Sequence, residues 1–300
     1  MPQEAWVSAL ARRERRTPRI VGREPLAGGY VSGSVERVDL DDGRSVVVKE
    51  ASATEVAAMR AIAVVDGVDR PRMLAVSGRT IVLAHHDGPV APADAPVPDE
   101  VWRTLALVHA HWRRNRPRGI PVVDVPWWRS LCEHVLVALR AAAGRDPGLA
   151  GAVTAVERWA EDPRIARALS ALPRTVCHGD AHRGNVLLAS DGPVLIDWGN
   201  ARVAPGGLDT TVLTAPDPSG PADLPPDPVP AAYTGTLADR LGNPDPPELA
   251  EVEREWALVQ AHVQYLGFAA DHQSSERVKG MVDVAARALD RLGPALDALR

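Results

Sequence analysis

The sequence predicts an α+β chain in which a small antiparallel sheet with one helix precedes a larger, mainly helical half. Three observations predict it. Short β-branched runs separated by glycine-containing turns fill the first 84 residues, apolar residues recur at helical spacing from Asp99 onward, and a two-strand hairpin near residue 190 interrupts the helices.

Residues 3–16 have the pattern of a short amphipathic helix, after which the chain turns extended from Arg19. The runs Pro25-Leu-Ala-Gly-Gly-Tyr30 and Val31-Ser-Gly-Ser-Val35 set a glycine-containing turn between strands, and strand character resumes at Arg37–Leu40. Asp41-Asp-Gly43 is a hairpin turn into the β-branched stretch Ser45-Val-Val-Val-Lys49. Ser52–Val65 carries Val56, Met59 and Ala63 at helical spacing, with Ser52 or Thr54 as its N-cap. Strands at Arg72–Val76 and Thr80–Ala84 lead to His85-His-Asp-Gly-Pro89, where Gly and Pro break the pattern. A hinge there divides the chain into 1–86 and 87–300. Helices are predicted over 100–114, 127–143, 149–160 and 164–172, the last ending before Pro173. Residues 215–230 are rich in Pro, Asp and Gly and read as a long loop. Helices resume over 247–270 and 274–292, with a stop expected at Gly293-Pro294.

The segment 176–202, VCHGDAHRGNVLLASDGPVLIDWGNAR, carries the most chemistry. Apolar runs Val186–Leu188 and Val194–Ile196 flank the turn residues Asp191, Gly192 and Pro193, which predicts an antiparallel pair. Such a pair returns its ends to one place. Asn185, before the first strand, and Asp197, after the second, can then converge on one divalent cation through oxygen ligands, with Asp180 in the preceding loop. That is the spacing of a phosphoryl-transfer site: a base and two magnesium ligands on one hairpin. Of the 34 Lys and Arg residues only Lys49 and Lys279 are lysine. Lys49 closes a buried strand, where a compact ammonium suits the α/β-phosphates of a nucleotide better than a planar guanidinium.

Composition limits the alternatives. The chain has 300 residues, 45% hydrophobic and 24% charged, and a formal net charge of -5. It can bury a large core, and its charge balance gives no support for a nucleic-acid partner despite the Arg clusters at 12–19 and 113–118, which read as solvated helix faces. Cys132 and Cys177 sit among apolar residues and read as reduced core thiols of a cytoplasmic protein. The N-terminal stretch lacks the pattern of a secretory signal, and no run has the length to cross a bilayer, so no membrane partner is expected.

The pattern His178-Gly-Asp180-x-His182-x-x-Asn185 followed by Ile196-Asp197-Trp198 resembles the aminoglycoside phosphotransferase/choline kinase family, from about Val21 to the C-terminal helices. The resemblance implies a two-lobed protein-kinase-like fold, with a nucleotide-binding lobe at 1–86 and a catalytic and acceptor-binding lobe at 87–300. It implies ATP, or GTP, as donor with Mg²⁺ on Asn185 and Asp197, and a hydroxyl of a small molecule such as an aminoglycoside, amino alcohol or sugar as acceptor. Asp180 is then the proton acceptor, and His182 lies near the transferred phosphate, where protein kinases often carry Lys. Glu55 pairs with Lys49, Gly28, Gly29 and Gly33 cover the phosphates, and backbone groups from Ala84 and His85 to His86 meet the adenine edge. His178 braces the loop. Leu105-Ala-Leu-Val-His109 matches a family helix in which His109 packs. Asp209 falls where the family has a structural Asp opening a helix, although the following Thr-Thr departs from the family's pattern.

Two rival readings use the same residues. His178, Asp180 and His182 resemble a metal-ligand cluster of a hydrolase, a reading that leaves Asn185, Asp197 and Lys49 without a task. A nucleotide-binding pseudokinase is the other, opposed by the presence of all four of Lys49, Asp180, Asn185 and Asp197. Between Val203 and Glu255 ten acidic residues face only Arg240 and Arg254, which points to a cationic acceptor.

Overall fold

The structure, a computed structural model, describes residues 4–26, 35–68, 71–92, 95–215, 228–242 and 245–299. Gly28, Gly29 and Gly33, and most of the Pro-rich stretch 215–230, lie outside the described residues. Helix α1 (Ala5–Glu14) precedes strands β1 (Ile20–Pro25), β2 (Val35–Leu40) and β3 (Ser45–Glu50); helix α2 (Ala53–Ile62) then leads to β4 (Met73–Ser77) and β5 (Thr80–Ala84). The strands form one antiparallel sheet in the order β1-β2-β3-β5-β4. Along β3, Val46 and Val48 enter a core with Trp6, Val7 and Leu10 of α1. Alternation therefore leaves Val47 and Lys49 for the opposite face. Lys49 is held in register between Val35 of β2 and Ile81 of β5, so its strand cannot slip without exposing the valines.

Helix α2 starts where the Ser52 hydroxyl accepts the Glu55 N–H at 3.0 Å, an N-cap that settles the choice between Ser52 and Thr54. Its buried residues Ala58, Met59 and Ile62 share a core with Val101, Trp102 and Leu105 of α3 (Asp99–Trp112) and with Trp198. The helix beside the sheet is thus anchored by the residues that carry the hairpin.

Downstream follow α4 (Val125–Arg145), α5 (Ala150–Trp159), α6 (Pro163–Ala171), β6 (Thr175–Cys177), β7 (Val186–Ala189), β8 (Gly192–Leu195) and β9 (Arg202–Ala204). Helices α7 (Gly207–Thr214), α8 (Ala231–Leu241), α9 (Pro247–His272) and α10 (Ser275–Ala298) complete the chain. A third, helical core joins Trp128 and Leu139 of α4, Ile165 of α6, Trp256 and Leu266 of α9, and Leu289 and Leu292 of α10. Strand β6 pairs with β9 and β7 with β8, both antiparallel.

Two sequence boundaries move. The β7–β8 register runs from Val186↔Leu195 to Ala189↔Gly192, so Gly192 and Pro193 belong to the strand and the turn is the two-residue Ser190-Asp191. The expected stop at Gly293-Pro294 does not occur, and α10 continues to Ala298 with Pro294 inside it. Pro294 forfeits the N–H bond to the carbonyl four residues back, but Leu292, Ala295 and Leu296 are buried against the helical core, and that burial offsets the loss.

The stretch expected as a hinge is stitched onto the hairpin. The Leu188 N–H donates to Pro89 O at 2.8 Å, Ala91 N–H to Val186 O at 2.8 Å, and Ser190 N–H to Asp87 O at 3.1 Å. Gly88 is needed for this approach, because a Cβ there would lie 2.3 Å from Leu188 O. Gly88→Ala should lower the unfolding free energy by on the order of 2 kcal/mol, since backbone must move to admit the methyl; chemical denaturation of the two proteins checks it.

Candidate active site

The loop between β6 and β7 is built around a buried carboxylate. Asp209, fully inaccessible at the start of α7, accepts the His178 N–H at 2.6 Å and the Gly179 N–H at 2.8 Å, while His109 Nε2 sits 3.2 Å from its Oδ2. Burial alone would raise its pKa, but the His109 contacts and the Gly179 amide outweigh it and hold Asp209 below 3.8. Its expected structural role is realised. His109 is likewise a packing residue, its Nδ1 2.8 Å from the Tyr233 hydroxyl. Gly179 has φ +80°, and a Cβ there would fall 2.1 Å from Asn200 O, so only glycine makes this turn.

His178 braces the loop, as expected. Its Nε2 donates to Ile196 O at 2.8 Å and its Nδ1 accepts the Asp180 N–H at 3.3 Å, which identifies the tautomer because a carbonyl only accepts and an amide N–H only donates. Burial keeps the ring neutral by lowering its pKa. With both nitrogens engaged, His178 is not a metal ligand, and the His178/Asp180/His182 hydrolase reading loses one of its three residues.

Asn185 sits at the end of a 3-10 turn entering β7. Its Nδ2 donates to Asp180 O at 2.9 Å and its main-chain carbonyl accepts Ile196 N–H at 2.8 Å, so the side chain is held in place with its oxygen as the atom able to meet a cation. Asp197 follows β8 with φ 63°, in the left-handed region that costs a non-glycine residue energy and gathers at functional sites. The turn is anchored by Trp198, fully buried, whose Nε1 donates to Leu195 O at 3.1 Å.

Lys49 links the sheet to this hairpin. Its Nζ lies 2.7 Å from Glu55 Oε1 and 3.0 Å from Asp197 Oδ1. Burial pulls the Lys49 pKa down, but the two carboxylates outweigh it and hold the ammonium above its usual 10.5. The Lys49, Glu55, Asp180, Asn185 and Asp197 set read from the sequence therefore comes together at one place. His182 is half exposed beside it, with Nε2 3.9 Å from Asp180 Oδ2. Ala84 and His85 lie where the chain leaves β5. Their N–H groups donate to Arg72 O and Ser45 O as the sheet ends, so these amides are unavailable to an adenine edge.

Four residues with no role assigned from sequence complete the site. Tyr265 O–H donates to Asp180 Oδ1 at 2.5 Å and Asn200 Nδ2 to Asp180 Oδ2 at 3.2 Å. Gln264 Nε2 donates to Gly179 O at 2.8 Å, and Arg202 joins Gln264 Oε1 at 2.9 Å to Asn200 O at 3.0 Å while lying 5.0 Å over the Trp127 ring. The one signal in the sequence is a polar Gln264-Tyr265 pair between the apolar Val263 and Leu266 of a helix. The acidic segment is also less open than its composition suggests. Asp209 is enclosed, Glu253 accepts Gly207 N–H, Glu255 pairs with Arg291 and Arg254, and Asp245 pairs with Arg113. These four of the ten acids are committed to internal partners, while Asp217, Asp223 and Asp227 lie outside the described residues.

Residues 22–252 match the model of the phosphotransferase enzyme family, APH. The chain belongs to this family. No curated protein matches the chain. Among solved structures, a putative fructosamine-3-kinase from Thermobifida fusca shares 20% identity with a TM-score of 0.56, covering 95% of this chain and 98% of that one. Choline kinase from Cryptosporidium parvum shares 9% at a TM-score of 0.62, covering 94% and 90%. Spectinomycin phosphotransferase, in complex with ADP and spectinomycin, shares 11% at 0.50, covering 92% and 93%. These likenesses establish the protein-kinase-like fold of small-molecule kinases.

Within this phosphotransferase, Asp209 is the deepest support of the loop. Asp209→Ala leaves two buried N–H donors unpaired and should cost about 3–5 kcal/mol, read by chemical denaturation. Acid sensitivity should begin at a higher pH than carboxylates alone would give. Buried His178 and His262 have folded pKa values below 6.5, so the unfolded chain binds their protons first and stability is lost as pH falls below 6.5. Asp209 adds a second loss as pH falls through its folded value below 3.8. Unfolding midpoints across this range, with His178→Gln flattening the first slope, check the sign.

Proposed function

We propose that this member of the family is an ATP- and Mg²⁺-dependent kinase that phosphorylates a hydroxyl of a small molecule. The observation that carries the reading is the Lys49 ammonium, 2.7 Å from Glu55 and 3.0 Å from Asp197, at the open end of the hairpin that Asn185 enters from the Asp180 loop. A pseudokinase has no use for the whole set.

The donor set fits the metal: an amide oxygen and a carboxylate are hard oxygen ligands, and Asn185 has its nitrogen committed elsewhere. Asn185 and Asp197 would hold Mg²⁺, which when bound offsets charge on the triphosphate oxygens. Lys49 binds α/β-phosphate oxygens, kept in place by Glu55. Asp180 takes the proton of the acceptor hydroxyl as that oxygen forms its bond to the γ-phosphorus, and the bridging oxygen leaves with ADP. His182, beside Asp180 on the exposed side, meets the transferred phosphoryl group. The adenine edge would find carbonyl oxygens rather than amides at Ala84 and His85.

Proteins of this fold bear the names choline kinase, ethanolamine kinase, putative fructosamine-3-kinase and spectinomycin phosphotransferase, so the acceptor belongs to the small polar hydroxyl compounds. A cytosolic setting suits such substrates. No helix among the described residues is long and apolar enough to cross a membrane, and both cysteines are buried and free.

ADP release from Mg·ATP over a panel of choline, ethanolamine, spectinomycin and a fructosamine tests the reading. Asp180→Ala should lower turnover about a thousandfold with nucleotide binding retained, and Asp197→Ala should abolish the Mg²⁺-dependent part of nucleotide binding. Ordinary turnover in Asp180→Ala would sink the assignment.

A further inference from the structure

We infer that helix α9 is the positioning device of the site: Tyr265 sets the rotation of the Asp180 carboxylate and Gln264 sets the backbone beneath it. This rests on the phosphoryl-transfer reading and adds to it the residues that aim the base.

An aspartate reaches its target through two rotatable bonds, and a base that wanders by an ångström loses most of its advantage. The hairpin itself supplies no donor to the Asp180 carboxylate; Asn185 touches only the Asp180 main-chain carbonyl. The two donors arrive from elsewhere, Tyr265 O–H on Oδ1 at 2.5 Å and Asn200 Nδ2 on Oδ2 at 3.2 Å, one on each oxygen. A carboxylate gripped at both oxygens cannot turn about its Cβ–Cγ bond. Each oxygen still has a lone pair for the acceptor hydroxyl.

The direction of the Tyr265 bond follows from its surroundings. Burial, then the charge of Asp180, push the phenol pKa well above 10.0, so Tyr265 keeps its proton and donates. It does not compete with Asp180 as a base.

The neighbouring residue of the same helix fixes the main chain. Gln264 Nε2 donates to Gly179 O at 2.8 Å, and its Oε1 accepts from Arg202 Nη1 at 2.9 Å, which identifies the orientation of the amide. Arg202 Nε donates to Asn200 O at 3.0 Å, so the same guanidinium supports the donor on Oδ2. Arg202 is only 8% exposed and stacks over Trp127, which removes its freedom to leave. Contacts thus close into a ring through Gly179, Gln264, Arg202, Asn200, Asp180 and Tyr265. In that ring α9 is the one element outside the loop and hairpin segment, and it is rooted in the helical core through Trp256, Val263 and Leu266. Helix α9 therefore transmits the rigidity of the helical core to the base.

The test measures ADP release from Mg·ATP with water as acceptor, and with whichever of choline, ethanolamine, spectinomycin or a fructosamine raises it most. Tyr265→Phe should lower kcat about tenfold to a hundredfold while the KM for ATP stays within about twofold, as the loss of a hydrogen bond to a charged group that orients but does not bind nucleotide. Gln264→Leu should lower kcat in the same way. In the Asp180→Ala background Tyr265→Phe should cost nothing further, because its effect passes through the missing carboxylate. The inference is overturned if both single variants keep wild-type kcat while Asp180→Ala is inactive, or if Tyr265→Phe costs the same with and without Asp180, the mark of a purely structural role. If Tyr265→Phe fails to fold, Gln264→Leu with and without Asp180 decides on the same criteria. Wild-type turnover in Asp180→Ala would instead remove the phosphoryl-transfer reading, and this inference with it.

Discussion

The Lys49 ammonium is the contact on which the geometry of this protein turns. It comes from the middle of a sheet, is held by a glutamate on a helix, and touches an aspartate at the open end of a hairpin more than a hundred residues away. Its side chain is 14% exposed and that of Glu55 only 6%, so both charges have surrendered most of their hydration. A buried pair of this kind contributes little net stability, because the Coulomb gain is set against two desolvation costs. Its value lies in placement. Removing the lysine would strand a buried carboxylate, whereas keeping it fixes the relative position of sheet, helix α2 and hairpin.

The same logic of buried charge with committed partners recurs one layer deeper. Asp209 collects two backbone amides and an imidazole, and in return fixes His178 and Gly179, from which Asp180 projects. His109, Cys177 and Asp209 lie close enough to suggest a metal cluster, yet each ligand atom already has a hydrogen-bond partner: Tyr233 and Asp209 for the histidine, main-chain carbonyls for the thiol, amides for the carboxylate. Burial raises the thiol pKa well above 9.0, which keeps it protonated. The cluster is scaffold for the loop.

Two different kinds of rigidity meet at Asp180. The hairpin and α2 share a core with Trp198 and α3, while α9 belongs to the core of α4, α6 and α10. A phosphoryl-transfer site needs little covalent participation from the protein and much positioning. Drawing supports for one carboxylate from both cores meets that need, since neither core alone surrounds the loop.

The sequence by itself determined the local chemistry: the β-branched run ending in Lys49, a helix beginning at Ser52 or Thr54, and the hairpin that returns Asp197 to Asn185. Each depends on neighbours within a few residues, where propensity and turn geometry act directly. The pairing of Lys49 with Glu55 and the structural part of Asp209 were legible only through the family pattern. Helix ends were less legible, as α10 shows, because packing of Leu292, Ala295 and Leu296 overrode the local signal of Gly293-Pro294. Tertiary structure alone decided the support of Asp180 by Tyr265, Gln264 and Arg202, and the internal pairing of Asp245, Glu253 and Glu255, which composition presented as part of an acidic surface. Those contacts span long stretches of chain, and no periodicity records which face of a distant helix a loop will meet.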